Sequence, residues 1–413
     1  MYEFLKGRLI LVRLIMLSAA LALIAIGVAT VYSLGHPAQP TAASQTGDLS
    51  IFWKKQVIFA AMGLGALIAV NLVSYRRFGP ASYWIYALVL LLLAVLLFDK
   101  LVNLAFVPVI NGTRRWIRIA VAGQAINLQP SEICKLAYIL ALAWYLRYKS
   151  NYSKFRVLIG PFLLTLLPMV LILLEPDLGT VLLMMPILFA MLFAAGAKVK
   201  HLLIIIILAL LISPLLWHQM QPYQRTRISS VLLQSPFIRQ KAQQYPKLGK
   251  TLIGTEFSKR KWENDWGYHL IRSKYAVASG SITGYGFGQG PFTKYDFLPE
   301  KHNDFIFAVI AHQWGFLGCL VLLGLYIILM ACGLDIAAHN TEPFGRLLAV
   351  GIVAMFAVEV IVNVGMTVGL MPITGLTLPL VSYGGSSLLV SLASIGLLNN
   401  IGRRRPFTVA RKP

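Results

Sequence analysis

Hydrophobic residues in this chain fall into long apolar runs, and shorter polar segments separate them. A helix needs about 20 apolar residues to cross the hydrocarbon core of a bilayer. Ten runs approach this length, which predicts an all-α polytopic membrane protein with about ten transmembrane helices. The predicted spans are residues 9–33, 54–73, 82–98, 130–146, 157–174, 178–196, 201–219, 304–331, 346–371 and 380–402.

Composition agrees with this pattern. The 413 residues are 58% hydrophobic and only 13% charged, whereas soluble domains carry about 25% charged residues. We therefore treat residues 1–413 as a single integral membrane domain. Lys6 and Arg8 precede the first apolar run, which continues past the cleavage-like residues 20–22. This helix is predicted to be a retained anchor rather than a signal peptide.

The short loops predict the orientation, because Lys and Arg hold loops in the cytoplasm. The basic positions fall on one side of the predicted bundle: residues 76–77, 147–156, 198–200, 346 and 403–405. We expect a multi-pass protein of the bacterial cytoplasmic membrane with both termini in the cytoplasm.

The net charge of +22 has a second source in the large loop 220–303. That loop lies on the predicted outer face and contains thirteen Lys or Arg but only five Asp or Glu. Long loops can cross a membrane regardless of charge. The excess favours an anionic partner or lipid headgroups outside. Nucleic acid is excluded as a partner, because the basic residues are scattered among membrane segments.

Arg114 and Arg115 stand in the first polar cluster, NGTRRWIRI at 111–119. Arginine suits bidentate phosphate recognition. The same residues would also serve as an interfacial anchor, with Trp116 at headgroup depth and the arginines on lipid phosphates.

Glu132 and Lys135 stand in LQPSEICK at 128–135 and share one face of the fourth helix. They form either part of a binding site or a structural ion pair. Glu175 and Asp177 flank Pro176 in LEPDLGT at 174–180. Helix capping explains Asp177, but it does not explain two acids in one tight turn.

Asp304 and Glu300 belong to FLPEKHNDFIFA at 297–308, at the boundary between a polar segment and the eighth apolar run. Asp304 is again a candidate N-cap. The alternative is a carboxylate at the partly desolvated entrance of a site, where its pKa can be tuned for proton abstraction.

Ser382 and Ser386 lie in LPLVSYGGSS at 378–387, where small residues permit an irregular backbone facing a cavity. Glu359 lies in mid-membrane, as a functional acid or as a structural hydrogen-bonding group. These clusters converge on the predicted outer face, which indicates one polar, largely cationic site with several carboxylates. The three cysteines show no metal-ligand or disulfide spacing.

These motifs resemble the SEDS family, the shape, elongation, division and sporulation proteins of the bacterial cell envelope. The matching segments are NGTRRWIRI, LQPSEICK, EPDLGT, FLPEKHNDFIFA, NVGMTVGLMPITG and LPLVSYGGSS, in the family's order. The resemblance implies a peptidoglycan glycosyltransferase whose substrate is lipid II, a disaccharide-pentapeptide on undecaprenyl pyrophosphate. PYQRTR at 222–227 and GLMPITG at 369–375 are more similar to the RodA branch than to the FtsW branch.

The resemblance also implies roles. Asp304 falls on the family's essential aspartate, and Glu132, Lys135, Arg114 and Arg115 fall on substrate-binding positions. It implies a class B penicillin-binding protein as partner, and it leaves a divalent cation, Mg²⁺ or Mn²⁺, open as a cofactor. Three positions depart from the family pattern: Asn303 replaces a usual Thr, and His312 and Gln313 stand where acids are usual.

Two rival functions use the same site. A lipid II flippase would need polar residues along a path on both faces of the membrane. A scaffold that only recruits an enzyme would tolerate neutral substitutions at Asp304, Glu132 and Lys135.

Overall fold

The structure, a computed structural model, describes residues 2–36, 46–110, 112–121, 124–148, 155–295 and 297–403. The first seven long helices are α1 (Tyr2–Gly35), α2 (Thr46–Leu72), α3 (Tyr75–Val102), α4 (Pro130–Leu146), α5 (Ile159–Leu174), α6 (Leu178–Ala194) and α7 (Val199–Gln219). Shorter helices follow: α8 (Pro222–Leu232), α9 (Pro236–Gln244), α10 (Pro246–Ile253), α11 (Lys259–Lys261), α12 (Tyr268–Ser279) and α13 (Pro291–Lys294). The chain closes with α14 (Ile306–Ala338), α15 (Pro343–Val368) and α16 (Gly385–Arg403).

Each predicted span falls on one of the helices α1–α7 and α14–α16, so the all-α polytopic architecture is confirmed. Six of them are long and apolar enough to cross a membrane, and α5, α6 and most of α7 form shorter apolar helices. The predicted boundaries differ from the observed ones by up to eight residues, at the start of α2. Near the end of the chain, residues 369–371 and 380–384 were predicted as parts of spans but lie outside the helices. Helix α15 ends at Val368, and its C-cap Gly369 has a φ of 88° that favours glycine.

The large loop 220–303 is mostly helical. Four of its short helices, α8, α9, α10 and α13, begin with proline in the first turn, where the missing N–H and fixed φ of proline are favourable. The 99–129 segment also contains an element that was not predicted. It forms an antiparallel hairpin of β1 (Ile117–Val121) and β2 (Gln124–Leu128), with Ile117 opposite Leu128.

Small residues let α16 pack closely against α2. A Cβ on Gly63 would lie 2.5 Å from Leu392, and one on Gly396 would lie 2.9 Å from the Leu67 carbonyl oxygen. Close backbone approach of this kind is how helices associate tightly inside a membrane. The pairing fixes the start of α16, which belongs to the site described below.

Helix α14 is interrupted at Gly315, which has φ 63° and ψ −160°. The break frees carbonyl groups of the preceding turn. The His312 and Gln313 carbonyls accept hydrogen bonds of 3.1 and 2.9 Å from the backbone N–H groups of Tyr285 and Gly286. The glycine-rich segment 284–290 therefore donates hydrogen bonds to the carbonyl groups that the kink in this membrane helix leaves without partners.

One end of the bundle gathers the basic positions that predicted the orientation. Arg8 pairs with Asp335 at 2.9 Å, and Arg76 pairs with Glu342 at 2.8 Å. These contacts join the α1 start, the α2–α3 turn and the α14–α15 loop. The predicted basic positions at 149–154 and 404–405 lie outside the described residues. The polar clusters of the predicted site lie at the opposite end.

Candidate active site

A cavity of about 320 Å³ opens at the end of the bundle away from the paired arginines. It brings together α2, the hairpin, the starts of α4, α6 and α16, the segment that precedes α14 and the segment that follows α15. Its lining includes four of the predicted site residues: Asp304, Glu132, Asp177 and Ser386. Predicted site residues that lie more than 250 positions apart in sequence therefore line the same cavity.

Asp304 is held in this cavity by its backbone. The Asn363 side-chain amide donates to the Asp304 carbonyl at 3.0 Å and to the Leu376 carbonyl at 2.7 Å. The Ser382 hydroxyl donates to the Asn303 carbonyl at 2.7 Å and accepts from the Leu378 N–H at 2.8 Å. Ser382 therefore fixes the approach to Asp304 and does not line the cavity.

The carboxylate of Asp304 does not cap α14. The N-cap residue is Phe305, which provides no side-chain cap. Within the described part of the chain, no hydrogen bond to the Asp304 carboxylate occurs. Its Oδ2 would lie 3.5 Å from a Cβ on Gly375, so glycine borders the carboxylate. The capping interpretation of Asp304 is wrong, and its oxygens are available to a ligand.

The surroundings of Asp304 raise the pKa of its carboxyl group to about 7. Burial is the main cause, and the neighbouring charges of Glu300 and Asp177 add to it. Arg227 and Arg115 lower the same pKa. A carboxyl group with this pKa is suited to accept a proton near neutral pH.

Asp177, in contrast, is fully engaged. Its carboxylate caps α6 through the Thr180 N–H at 3.3 Å, as predicted, and accepts from the Thr180 hydroxyl at 2.9 Å. Ser131 donates to it at 2.8 Å and Gln129 at 3.3 Å. Asp177 therefore joins the start of α4 to the start of α6.

Glu132 and Lys135 form the predicted ion pair, with Lys135 Nζ 2.8 Å from Glu132 Oε2. A second carboxylate, Glu359, approaches the same nitrogen at 2.5 Å. Lys135 is only 2% exposed, so two carboxylates compensate its buried charge. Glu132 lines the cavity, while Lys135 and Glu359 lie behind it. Glu359 therefore has the structural role of its two predicted alternatives, and a functional role stays a prediction.

Arg114 and Arg115 hold the segment before the hairpin. Arg114 pairs with the buried carboxylate of Asp99 at 2.8 Å. Arg115 donates to the Glu175 and Pro176 carbonyls at 2.8 and 2.6 Å, and burial lowers the pKa of its guanidinium. Both arginines lie outside the cavity lining, so diphosphate binding by them stays a prediction.

Glu175 is buried, and neither of its carboxylate oxygens has a hydrogen-bond partner among the residues that the structure describes. Burial chiefly raises the pKa of this carboxyl group to about 8, and the charge of Asp177 adds to the effect. Two other predicted residues also accept hydrogen bonds. Ser386 accepts from the Gln129 backbone N–H at 3.0 Å, and Glu300 accepts from the Asn303 side-chain amide at 2.8 Å.

His312 and Gln313, the departures from the family pattern, are buried away from the cavity. Gln313 donates to Ser33 at 2.8 Å and to Thr293 at 3.2 Å. His312 contacts the Ser279 hydroxyl at 2.7 Å. Here they form a hydrogen-bond network that joins α14 to α1, α12 and α13.

Lys55 is the site residue that the sequence analysis missed. It is exposed on α2 and lines the cavity. The sequence did contain a signal for this residue. Two adjacent lysines lie near the start of a span on the predicted outer face, which is against the positive-inside trend.

A second feature, also missed, is an apolar side cavity of about 120 Å³. It shares Phe59, Gly385 and Ser386 with the main cavity and adds Met62, Ile119, Leu128 and Leu389. An apolar recess next to a polar cavity is suited to a ligand with both characters.

Metal binding by the protein alone is not supported by the geometry. Across the described ranges, no group of three or more His, Cys, Asp or Glu is placed to hold a metal ion. Asp177 is also occupied by its capping bonds. The divalent cation stays a prediction.

Comparisons with known proteins define the class. The sequence profile of the FtsW/RodA/SpoVE cell cycle proteins matches residues 13–406. The peptidoglycan glycosyltransferase RodA of Treponema pallidum (strain Nichols) is 33% identical over 446 residues, with 95% of this chain and 97% of that protein covered. The probable peptidoglycan glycosyltransferase FtsW of Geobacter metallireducens is 34% identical over 401 residues, with 95% and 94% covered.

A solved chain from work on coordination of polymerization and crosslinking by a peptidoglycan synthase complex has the same fold. It has a TM-score of 0.68 and 30% sequence identity, with 94% of this chain and 96% of that chain covered. The chain belongs to the SEDS family of FtsW, RodA and SpoVE proteins, as the motifs predicted. Relatives named RodA and FtsW match equally well, so identity alone does not separate the branches.

Proposed function

We propose that this protein polymerises lipid II into glycan strands, as a peptidoglycan glycosyltransferase. The observation that carries the proposal is the free carboxylate of Asp304, with its pKa near 7, in a cavity bordered by an apolar recess. The names of the relatives at 33% and 34% identity support the same activity.

In the proposed reaction, Asp304 takes the proton from the 4-hydroxyl of the acceptor sugar. The hydroxyl oxygen forms a bond to the anomeric carbon of the donor. The bond from that carbon to the diphosphate oxygen breaks, and the electron pair leaves with undecaprenyl diphosphate. The anomeric configuration inverts because attack and departure occur on opposite faces.

The charges of the site suggest how the diphosphate is bound. Lys55 lines the cavity and is free to contact a phosphate. Arg115 does not line the cavity, but its positive charge contributes to the electrostatic potential at Asp304. Positive charge near a leaving anion stabilises the transition state. The apolar recess beside Phe59 would receive the first part of the isoprenoid chain.

The test is polymerisation of lipid II by the purified protein in vesicles. We expect glycan strands from the wild type and none from Asp304→Asn. Translocation of labelled lipid II without polymer would contradict the proposal and favour a flippase. Unchanged polymer from Asp304→Asn would remove Asp304 from the mechanism.

We propose that the cavity end faces outward and that both termini are cytoplasmic. The paired arginines at the opposite end support this orientation through the positive-inside trend. Cysteines introduced singly at exposed Lys55 and exposed Lys200 provide the test. A membrane-impermeant thiol reagent should label the first in intact cells and the second only after lysis.

A class B penicillin-binding protein is the proposed partner, because a solved relative comes from a synthase complex of polymerisation and crosslinking. Polymerisation with and without this partner tests the dependence. Adding chelator to each reaction tests the divalent cation, and a chelator-sensitive rate restored by Mg²⁺ or Mn²⁺ would establish it.

We further propose the elongation role over the division role, on the PYQRTR and GLMPITG segments. Depletion in the source cell should then give rounded cells. Filaments with unfinished septa would indicate the division role.

A further inference from the structure

The excess of basic residues in the 220–303 region has no part in the reaction proposed above. The structure gathers several of them around a second cavity of about 600 Å³, formed by α9, α11, the π-helical turn that follows α11, and α12. We call it the loop cavity. Its charged lining residues are Arg239, Lys259, Arg272, Lys274 and Glu263.

Positive charge in the loop cavity is only partly compensated. Glu263 lies 3.9 Å from Arg239 and 3.8 Å from Lys259, which are long distances for ion pairs. Among the described residues, Arg272 and Lys274 contact no carboxylate. Lys274 instead donates to the Gln234 amide oxygen at 2.9 Å. Two cations in the lining therefore have no acidic partner within the described ranges.

Two hydrogen-bond donors in the lining also have no acceptor in the part of the chain that the structure describes. Trp262 is 2% exposed, and its indole Nε1 has no hydrogen-bond partner. The Nε of Arg239 is buried without a partner, while its guanidinium stacks 4.6 Å from the Trp262 ring. Buried donors without acceptors cost free energy. Neither atom is open to the cavity, so both add to the uncompensated positive character of the lining without contacting a ligand directly.

Helix α12 connects the loop cavity to Asp304. Tyr268, Arg272 and Tyr275 follow one another at helical spacing and face the loop cavity. On another face of α12, His269 stacks on Phe305 with ring centres 6.0 Å apart. Phe305 directly follows Asp304, so one helix separates the two cavities.

The chemistry of the lining identifies the ligand class. Arginine and lysine bind carboxylates, and half-buried or exposed tyrosines such as Tyr268 and Tyr275 offer flat apolar faces with a polar edge. We propose that the loop cavity binds a carboxylate-bearing glycopeptide, the peptide-substituted strand that the polymerase makes. This inference rests on the proposed function. Retention of the strand one helix from Asp304 would favour repeated addition to the same product.

The test is equilibrium binding of a lipid-free tetrasaccharide that carries its stem peptides. The full chain in detergent is used, both as wild type and as Asp304→Asn, and both should bind equally because the probe cannot react. The double variant Arg272→Gln/Lys274→Gln should bind about tenfold more weakly or worse. Lys250→Gln, an exposed position outside the lining, should bind as the wild type does.

A second arm needs no variant. The same tetrasaccharide with its carboxylates converted to amides should lose binding to the wild type. Equal binding of acid and amide forms, or of wild type and double variant, would overturn the proposal. It would also be overturned if inorganic pyrophosphate bound and the phosphate-free probe did not, or if only an acidic segment of a protein partner bound.

Failure of this inference is distinguishable from failure of the proposed function. Binding is read without catalysis, whereas the function is read as polymer formed from lipid II. Loss of binding by Asp304→Asn would instead place the tetrasaccharide in the main cavity and overturn the inference.

Discussion

The starts of α6 and α14 place two aspartates in the same cavity with opposite surroundings. At α6, Asp177 accepts four hydrogen bonds from three neighbouring residues, including its capping bond. At α14, the Asp304 carboxylate accepts none from the described residues, and its pKa is raised to about 7. One aspartate holds the scaffold together, and the other is left free for chemistry.

The difference arises from register. Asp177 directly precedes the first residue of α6, so its side chain reaches the Thr180 N–H three residues on. Phe305 separates Asp304 from the first residue of α14, which leaves Asp304 one position too early to cap. Residue type alone cannot distinguish these cases, because aspartate is favoured at both positions.

The largest expected effect tests the free aspartate. Asp304→Asn removes the proton acceptor and should lower the polymerisation rate about 10²- to 10⁴-fold. Because the carboxylate makes no hydrogen bond to the described residues, the thermal midpoint should not fall. A variant that unfolds at lower temperature would show that Asp304 has a structural role like that of Asp177.

The next effect tests the engaged aspartate. Asp177→Ala leaves Ser131, Gln129 and Thr180 without their acceptor and should destabilise the protein by about 2 kcal/mol. The thermal midpoint in detergent measures this, with Asp304→Asn as the matched control. An unchanged midpoint would contradict the assigned cap.

The smallest effect sharpens the comparison through Glu175. Its pKa of about 8 lies above the usual value, so the protonated form is favoured in the folded state. Its contribution to stability is complete below about pH 4.5 and is lost as the pH rises through 8. Glu175→Gln should therefore raise the thermal midpoint relative to wild type, and more so at about pH 8.5 than at about pH 6.

An equal difference at both pH values would show that Glu175 does not titrate in this range. Lys250→Gln, at an exposed position outside both cavities, is the control and should leave the thermal midpoint unchanged at both pH values.

Much of the fold was predictable because each membrane helix is determined by its own composition. The ten spans, the cap by Asp177 and the Glu132–Lys135 pair all depend on residues close in sequence. The site was predictable in part for the same reason. Each cluster was visible alone, and alternating membrane crossings put the clusters at one end.

The rest depends on contacts between distant segments. Lys135 meets Glu359 across 224 positions in sequence, and Lys55 enters the cavity only because α2 packs along α16. Predicting that Asp304 does not cap α14 requires the exact spacing between the aspartate and the first residue of the helix. Sequence patterns give a helix start only to within a few residues. The hairpin at 117–128 was hidden in a segment treated as a connection between spans.

The most direct test of the central claim is the pH dependence of kcat/KM for lipid II polymerisation by the wild type. A general base must be deprotonated to act, so the rate should fall on the acidic side with a midpoint near pH 7. It should reach a plateau at higher pH. A rate that stays level down to about pH 5, or that falls as the pH rises through 7, would contradict Asp304 as the base.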